Sequence, residues 1–287
     1  MEREDFIGLL SPEGQALLSE VGTLDAKADV LKLVTKLRAA GHSPLLVAAA
    51  LTQAKLRRRA QAKFGPFADR MLFTEAGLEQ ASRLTVAALH AGRFRTAGID
   101  DVADLGCGIG AESLALASID INVHSFEIDE VTAAIATYNL APFDNASVQQ
   151  ADVTKLDLDK FGGLFFDPAR RELDGPARER AARKFDPMAF SPSFDFVVEA
   201  ASKKPTGIKF GPGHPHEGIP EQAEAQWVSI GGDLVELGLW FGAVARPNIK
   251  RAALLITATG KHEITSHEVK RQDAELGQLQ EFVFEPD

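Results

Sequence analysis

Four carboxylates stand in or just beyond short strand-like runs. Asp104 lies within Val102–Leu105, Glu127 follows Val123–Phe126, Asp152 comes just after Ser147–Gln150, and Asp167 follows Leu164–Phe166. Gly106, Gly108 and Gly110 come between the first two, at the spacing a backbone needs to bend tightly beneath a ligand. A helix opening after them, Ala111 to Ser118, would aim its free N–H groups and positive dipole end at that ligand. Glu127, at the end of the next strand, can accept both hydroxyls of a ribose. Together these residues describe a site for a nucleotide-like ligand at the C-terminal ends of parallel strands.

The elements that must position them alternate. Strand Asp101–Leu105, the helix to Ser118, strand Val123–Glu127, helix Val131–Asn139 and strands Ser147–Gln150 and Leu164–Phe166 form a βαβ series, and hence a parallel sheet. Asp195–Ala201 reads as helix and Gly207–Phe210 as a buried strand. Gly231-Gly232 between Ala225–Ile230 and Asp233–Trp240 is a two-residue hairpin signal, and Arg251–Thr257 supplies a further strand. Upstream, Thr74 is placed to cap a long helix from Phe73 to about Arg93.

The first 65 or so residues read as helices. Ser11-Pro12 and Ser43-Pro44 are N-caps followed by proline at the first helical position. Asp25–Ala40 carries Val30, Leu33, Val34 and Leu37 at helical spacing, and Pro44–Phe64 stops at Gly65-Pro66. We therefore divide the chain into a helical N-terminal domain, 1–70, and an α/β domain, 71–287.

Composition sets bounds. With 287 residues, 45% hydrophobic and 25% charged, the chain is an ordinary globular sequence. It has no apolar run of membrane-spanning length, and Met1–Asp5 lacks the pattern of a signal peptide, so a cytoplasmic location is expected. Cys107 is the only cysteine, which excludes a disulfide framework; within the glycine turn it is expected to meet packing or ligand rather than act as a catalytic thiol. His214-Pro215-His216 sits in a proline and glycine loop, and no metal is expected there. The net charge of −10 argues against indiscriminate nucleic-acid binding, yet Lys55 to Arg95 holds nine basic residues against three acidic ones. Its densest part, Lys55-Leu56-Arg57-Arg58-Arg59, reads either as a solvated helix face or as a phosphate contact.

The glycines are written G-x-G-x-G, not the G-x-G-x-x-G of a dinucleotide site, and the ordered strand ends resemble a class I S-adenosylmethionine-dependent methyltransferase. That resemblance implies a Rossmann-like, seven-stranded α/β sheet. It implies S-adenosylmethionine as cofactor, with Asp104, Gly106, Gly108 and Gly110 as the first motif. Glu127, with Ile128 beside it, becomes the ribose end, and Asp152 the acid that holds the adenine amino group. By the same comparison Phe73 and Thr74 either border the cofactor pocket or simply pack. An α/β core that binds NAD, or nothing, is the rival reading.

Gly163–Arg171 is the candidate acceptor site. Asp167-Pro168 agrees with the family's D/N-P-P-Y/F/W motif, in which the acid and a backbone carbonyl hold the target amine; Ala169 replaces the second proline and Arg170 the aromatic ring. Asp-Pro-Ala-Arg-Arg resembles the THUMP-like methyltransferase group, whose kin include trimethylguanosine synthases. This implies transfer to RNA, at a base nitrogen, with Asp167 and Pro168 catalytic and Arg170, Arg171 and Lys209 on the substrate. Asp167 could instead cap the turn, and the two arginines could pair with Glu172 or Asp174. Lys209 could equally be a snorkelling surface lysine. Arg178, Arg180, Arg183 and Lys184 extend the basic loop. A small-molecule or protein acceptor, and a non-catalytic RNA-binding module, are the alternatives. The apolar end, Glu281–Asp287, leads either into a further THUMP-like domain, as in the bacterial relatives it resembles, or closes the sheet as a native terminus.

Overall fold

The computed structural model describes residues 3–22, 30–170 and 190–268, with the side chains of 169 and 170 excepted. It falls into two compact units, 1–92 with 107–153, and 93–106 with 154–287.

In the first unit the N-terminal segment is helical: α1 (Arg3–Leu10), α2 (Pro12–Val21), α3 (Val30–Ala39) and α4 (Pro44–Phe64). Ser11 accepts the Gly14 N–H at 3.0 Å and Ser43 the Leu46 N–H at 3.2 Å, so both expected caps form. Leu17, Leu37, Val47 and Phe64 are buried in one apolar cluster with Phe73, Ile109, Ile135 and Leu140.

The expected long helix from Phe73 is two helices, α5 (Glu75–Gln80) and α6 (Leu84–Thr96). Thr74 caps α5 as expected. The helix ends because Lys63 Nζ takes the carbonyls of Leu78, Glu79 and Ala81 at 2.9, 2.7 and 2.7 Å, and Ala81 turns to an extended ψ of 138°. A tertiary lysine here supplies what a C-terminal cap would.

After the glycine loop come α7 (Ala111–Ala117) and α8 (Glu130–Leu140). In chain order the strands are β1 (Asp101–Leu105), β2 (Asn122–Glu127), β3 (Ala146–Gln150), β4 (Gly163–Phe166), β5 (Ala169–Arg170) and β6 (Phe190–Ser191). They continue as β7 (Thr206–Phe210), β8 (Glu224–Ile230), β9 (Asp233–Phe241), β10 (Arg251–Thr257) and β11 (Gly260–Thr265), with α9 (Phe194–Lys203) before β7.

In the first unit β2 and β3 pair in parallel. In the second, the order β11-β10-β8-β9-β7-β4-β1 is parallel over β7, β4 and β1 and antiparallel where β9 joins β7 and β8. Gly231 and Gly232, at φ of 60° and 94°, turn the hairpin as the sequence indicates. Among the described residues the sheet strands number nine, not the seven expected. The surplus lies at β10, parallel to β8, and at β11, which folds back on β10. Strand β11 went unread because its Lys261, His262 and Glu263 give it no apolar alternation. The short β5 and β6 pair separately and antiparallel.

Candidate active site

The glycine loop lies in both units and is described in each. In the first, Cys107 N–H donates to Phe126 O at 3.0 Å and Gly110 N–H to Cys107 O at 2.9 Å, which closes a tight turn before α7. Gly108 N–H donates to Glu127 Oε2 at 3.0 Å, while Glu127 Oε1 accepts the N–H groups of Ile128 and Asp129 at 2.8 and 3.0 Å. The carboxylate at the end of β2 is thus fixed by three backbone donors, one of them in the loop. Gly108 has φ +54°, and a Cβ there would meet open space. Backbone, carboxylate and free volume together form a cradle whose donors and acceptors suit a sugar bearing hydroxyls.

Ile128 is 62% exposed beside that acid. Asp152 stands half-buried just past β3, next to Ala151, whose N–H bonds Glu127 O at 2.9 Å. The unit therefore brings Gly108, Glu127, Ile128 and Asp152 to the C-terminal ends of β2 and β3, while Gly110 stands at the start of α7, where a Cβ would lie 3.3 Å from Leu140.

In the second unit Asp104 is fully buried on β1, opposite Phe165 of β4. Gly106 follows at φ +92°, and a Cβ there would lie 3.0 Å from the carbonyl oxygen of Asp167. Only glycine combines that backbone with that approach. Asp167 N–H donates to Leu105 O at 3.3 Å, and its Oδ2 is 2.5 Å from Lys209 Nζ. An ion pair with Asp167 was in neither sequence reading of Lys209. Pro168 is buried after Asp167. Arg170 pairs through its backbone with Phe190, while Arg171, Arg178, Arg180, Arg183 and Lys184 lie outside the described residues.

The basic stretch is largely engaged. Arg57 is buried, not solvated, and its Nε donates to Met71 O at 2.9 Å; neither reading of the Lys55–Arg59 run holds for it. Arg59 pairs with Glu75 and, at 3.6 Å, with Glu79. In the second unit Arg93 clamps the buried Glu224 at 2.7 and 2.9 Å and lies over the Trp240 ring. Cys107 is buried. His214 stacks on Phe210 and His216 on Trp227, so the two rings serve separate aromatic contacts. Among the described residues no group of three or more His, Cys, Asp or Glu could hold a metal, and no helix is long and apolar enough to cross a membrane.

Asn139 and Gln53 bear on the loop and were missed. Asn139 Nδ2 donates to the Ile109 carbonyl at 3.0 Å, and Gln53 brackets Phe73. The signal was present: Val131, Ile135 and Asn139 share one helical face, and an amide among apolar neighbours needs buried partners.

Comparison with known proteins bears on the fold. Residues 2–60 match the family model of a domain of unknown function, DUF8688. Two curated Mycobacterium tuberculosis proteins, from strains CDC 1551 and H37Rv, are each described as an uncharacterized S-adenosylmethionine-dependent methyltransferase and are 27% identical over 213 residues, 70% of this chain. The match spans 56% of their length. The crystal structure of a candidate methyltransferase from Porphyromonas gingivalis W83 superposes with a TM-score of 0.59 at 17% identity, over 86% of this chain and 67% of that one. The chain has the fold of the class I S-adenosylmethionine-dependent methyltransferases.

Proposed function

We propose that the chain binds S-adenosylmethionine and transfers its methyl group to RNA, at a base nitrogen. The observation that carries the cofactor reading is Glu127, held by Gly108 N–H beside the open space over that glycine. Glu127 would accept the ribose hydroxyls and Asp152 the adenine amino group; Ile128 offers apolar surface to the ring. Gly106, Gly108 and Gly110 keep side chains out of the way, and Asp104 belongs to the same motif. The relatives' description supports this reading.

Bound S-adenosylmethionine supplies an electrophilic methyl group on a sulfonium. The chain's own part is alignment and dryness, and orientation alone can supply roughly 7–11 kcal/mol of a barrier. Asp167, steadied by Lys209, accepts an N–H of the target amine and directs the nitrogen lone pair; Pro168 stiffens the turn that presents it. Arg170 and Arg171 would take phosphate.

The RNA acceptor, and the place within the THUMP-like group, rest on the resemblance of Asp167–Arg171. One observation favours a smaller acceptor as the second reading: Arg57, Arg59, Lys63 and Arg93 are spent on internal contacts, which thins the basic face a long polyanion would need. We keep 1–70 as a helical domain and 71–287 as the methyltransferase domain, and expect both in the cytoplasm. The test is transfer of labelled methyl into total RNA from cells lacking the protein, with Asp167→Ala as control. Label that depends on Asp167 is expected. Label absent from RNA but present in a small-molecule fraction would move the acceptor, and no transfer at all would reject the proposal.

A further inference from the structure

The longest N-terminal helix, α4, lies mostly within the segment that matches a domain of unknown function. Past its end, Met71, Leu72 and Phe73 run without helix or strand and are buried at 2%, 0% and 0% exposure. Buried backbone outside a ladder needs partners from elsewhere. Side chains supply them. Arg57 Nε donates to Met71 O at 2.9 Å. Gln53 takes both groups of Phe73: its Oε1 accepts the N–H at 3.0 Å and its Nε2 donates to the carbonyl at 2.8 Å. Asn139 does the same for Leu72, at 2.8 and 3.1 Å, and then donates at 3.0 Å to Ile109 O, between Gly108 and Gly110.

A second route ends on the same residue. Thr74 caps α5, and Gly77 in that helix lies so close to Ile109 that a Cβ would stand 2.6 Å from Cγ2. The path from α4 to the glycine loop is thus continuous hydrogen bonding and packing within one compact unit. The hydrogen bonds made by Gln53, Arg57 and Asn139 are buried, so each loses a partner outright if its neighbour is removed.

We infer that α4 braces the glycine loop, with Gln53 and Asn139 as positioning residues, so that the N-terminal segment of unknown function sets the affinity for the cofactor. The inference rests on the reading of that loop as the cofactor site. The brace fixes Ile109, Ile109 fixes the loop between its two glycines, and Gly108 N–H holds Glu127.

The test uses the full chain and compares wild type with Gln53→Met, Asn139→Leu and, as a control within the helical cluster, Leu17→Ala. Three quantities are read: S-adenosylmethionine affinity by calorimetry, melting temperature, and hydrogen exchange over residues 106–112. Gln53→Met and Asn139→Leu are expected to weaken affinity about tenfold, the effect of one buried hydrogen bond, and to speed exchange in the loop. Leu17→Ala should lower the melting temperature at unchanged affinity and unchanged loop exchange. Wild-type affinity and exchange in folded Gln53→Met, or equal weakening by Leu17→Ala, would overturn the brace. If wild type binds no S-adenosylmethionine, the cofactor reading fails by itself, and loop exchange still decides whether α4 braces the loop. Should Gln53→Met not fold, Gln53→Glu keeps the acceptor for Phe73 N–H and is read the same way.

Discussion

Lys209 Nζ lies 2.5 Å from Asp167 Oδ2 because β4 and β7 run in parallel register. Phe166 is opposite Ile208, so the next residue of each strand meets the other at the strand ends. The ammonium gives the proposed acceptor carboxylate a charge-assisted contact that fixes its direction. Asp167→Asn is expected to lower methyl transfer by about 10²–10³-fold, the usual cost of one oriented polar group, with cofactor affinity unchanged. Lys209→Met should lose turnover in the same direction and Lys209→Arg should recover part of it. Turnover in Asp167→Asn equal to wild type would remove the residue from the reaction.

Gly106→Ala places a side chain at φ +92° and 3.0 Å from the Asp167 carbonyl. Strain of this kind costs about 1–3 kcal/mol. The variant is expected to melt below wild type and, because the crowded atom belongs to Asp167, to lose turnover as well. A wild-type melt would contradict the close approach.

The buried Glu224 is pushed up by burial, but hydrogen bonds from Arg93 and Arg246 outweigh this and hold its carboxyl below the usual carboxylate range. A carboxylate whose folded pKa is depressed contributes stability above its unfolded pKa and loses it as pH falls through the folded one. The network should therefore stabilise the protein at neutral pH and fail in acid, below about pH 4. Glu224→Gln leaves two arginines without their shared anion, and breaking such a buried pair costs about 3–5 kcal/mol. Melting curves against pH check this, and the variant's profile should be flatter at the acid end.

Burial lowers the pKa of His214, which packs against Phe194 and Phe210. Its contribution is present above the unfolded value of about 6.5 and is lost as pH falls below it toward the folded value. His214→Phe should remove that part of the acid loss between pH 6.5 and the carboxylate range. A profile that keeps this step would assign it elsewhere.

Local signals carried most of the elements that hold the proposed cofactor residues. Apolar runs that hold Asp104 or lead into Glu127 and Asp167 mark β1, β2 and β4, and the glycines mark the turn, because each depends on only a few neighbouring residues. What was missed depends on distant partners. Arg57 looked basic and free within Lys55–Arg59, although Gln53, Arg57, Ala60 and Phe64 fall on one helical face and all four are buried. The break between α5 and α6 is made by Lys63, 15 to 18 residues upstream of the carbonyls it takes. The Asp167–Lys209 pair needed strand register, which no single run specifies. The short β5 and β6 pair across a wide gap in sequence, which no single run specifies either.

The most direct measurement is the affinity of the chain for S-adenosylmethionine, by calorimetry, set against Glu127→Ala and against NAD as competitor. Glu127 is held by three backbone N–H groups, and hydrogen bonds to a charged group are worth about 1.5–3 kcal/mol. The account predicts that wild type binds S-adenosylmethionine, that NAD does not displace it, and that Glu127→Ala weakens binding at least about tenfold. Binding of NAD in its place, or equal S-adenosylmethionine affinity in the two proteins, would contradict it.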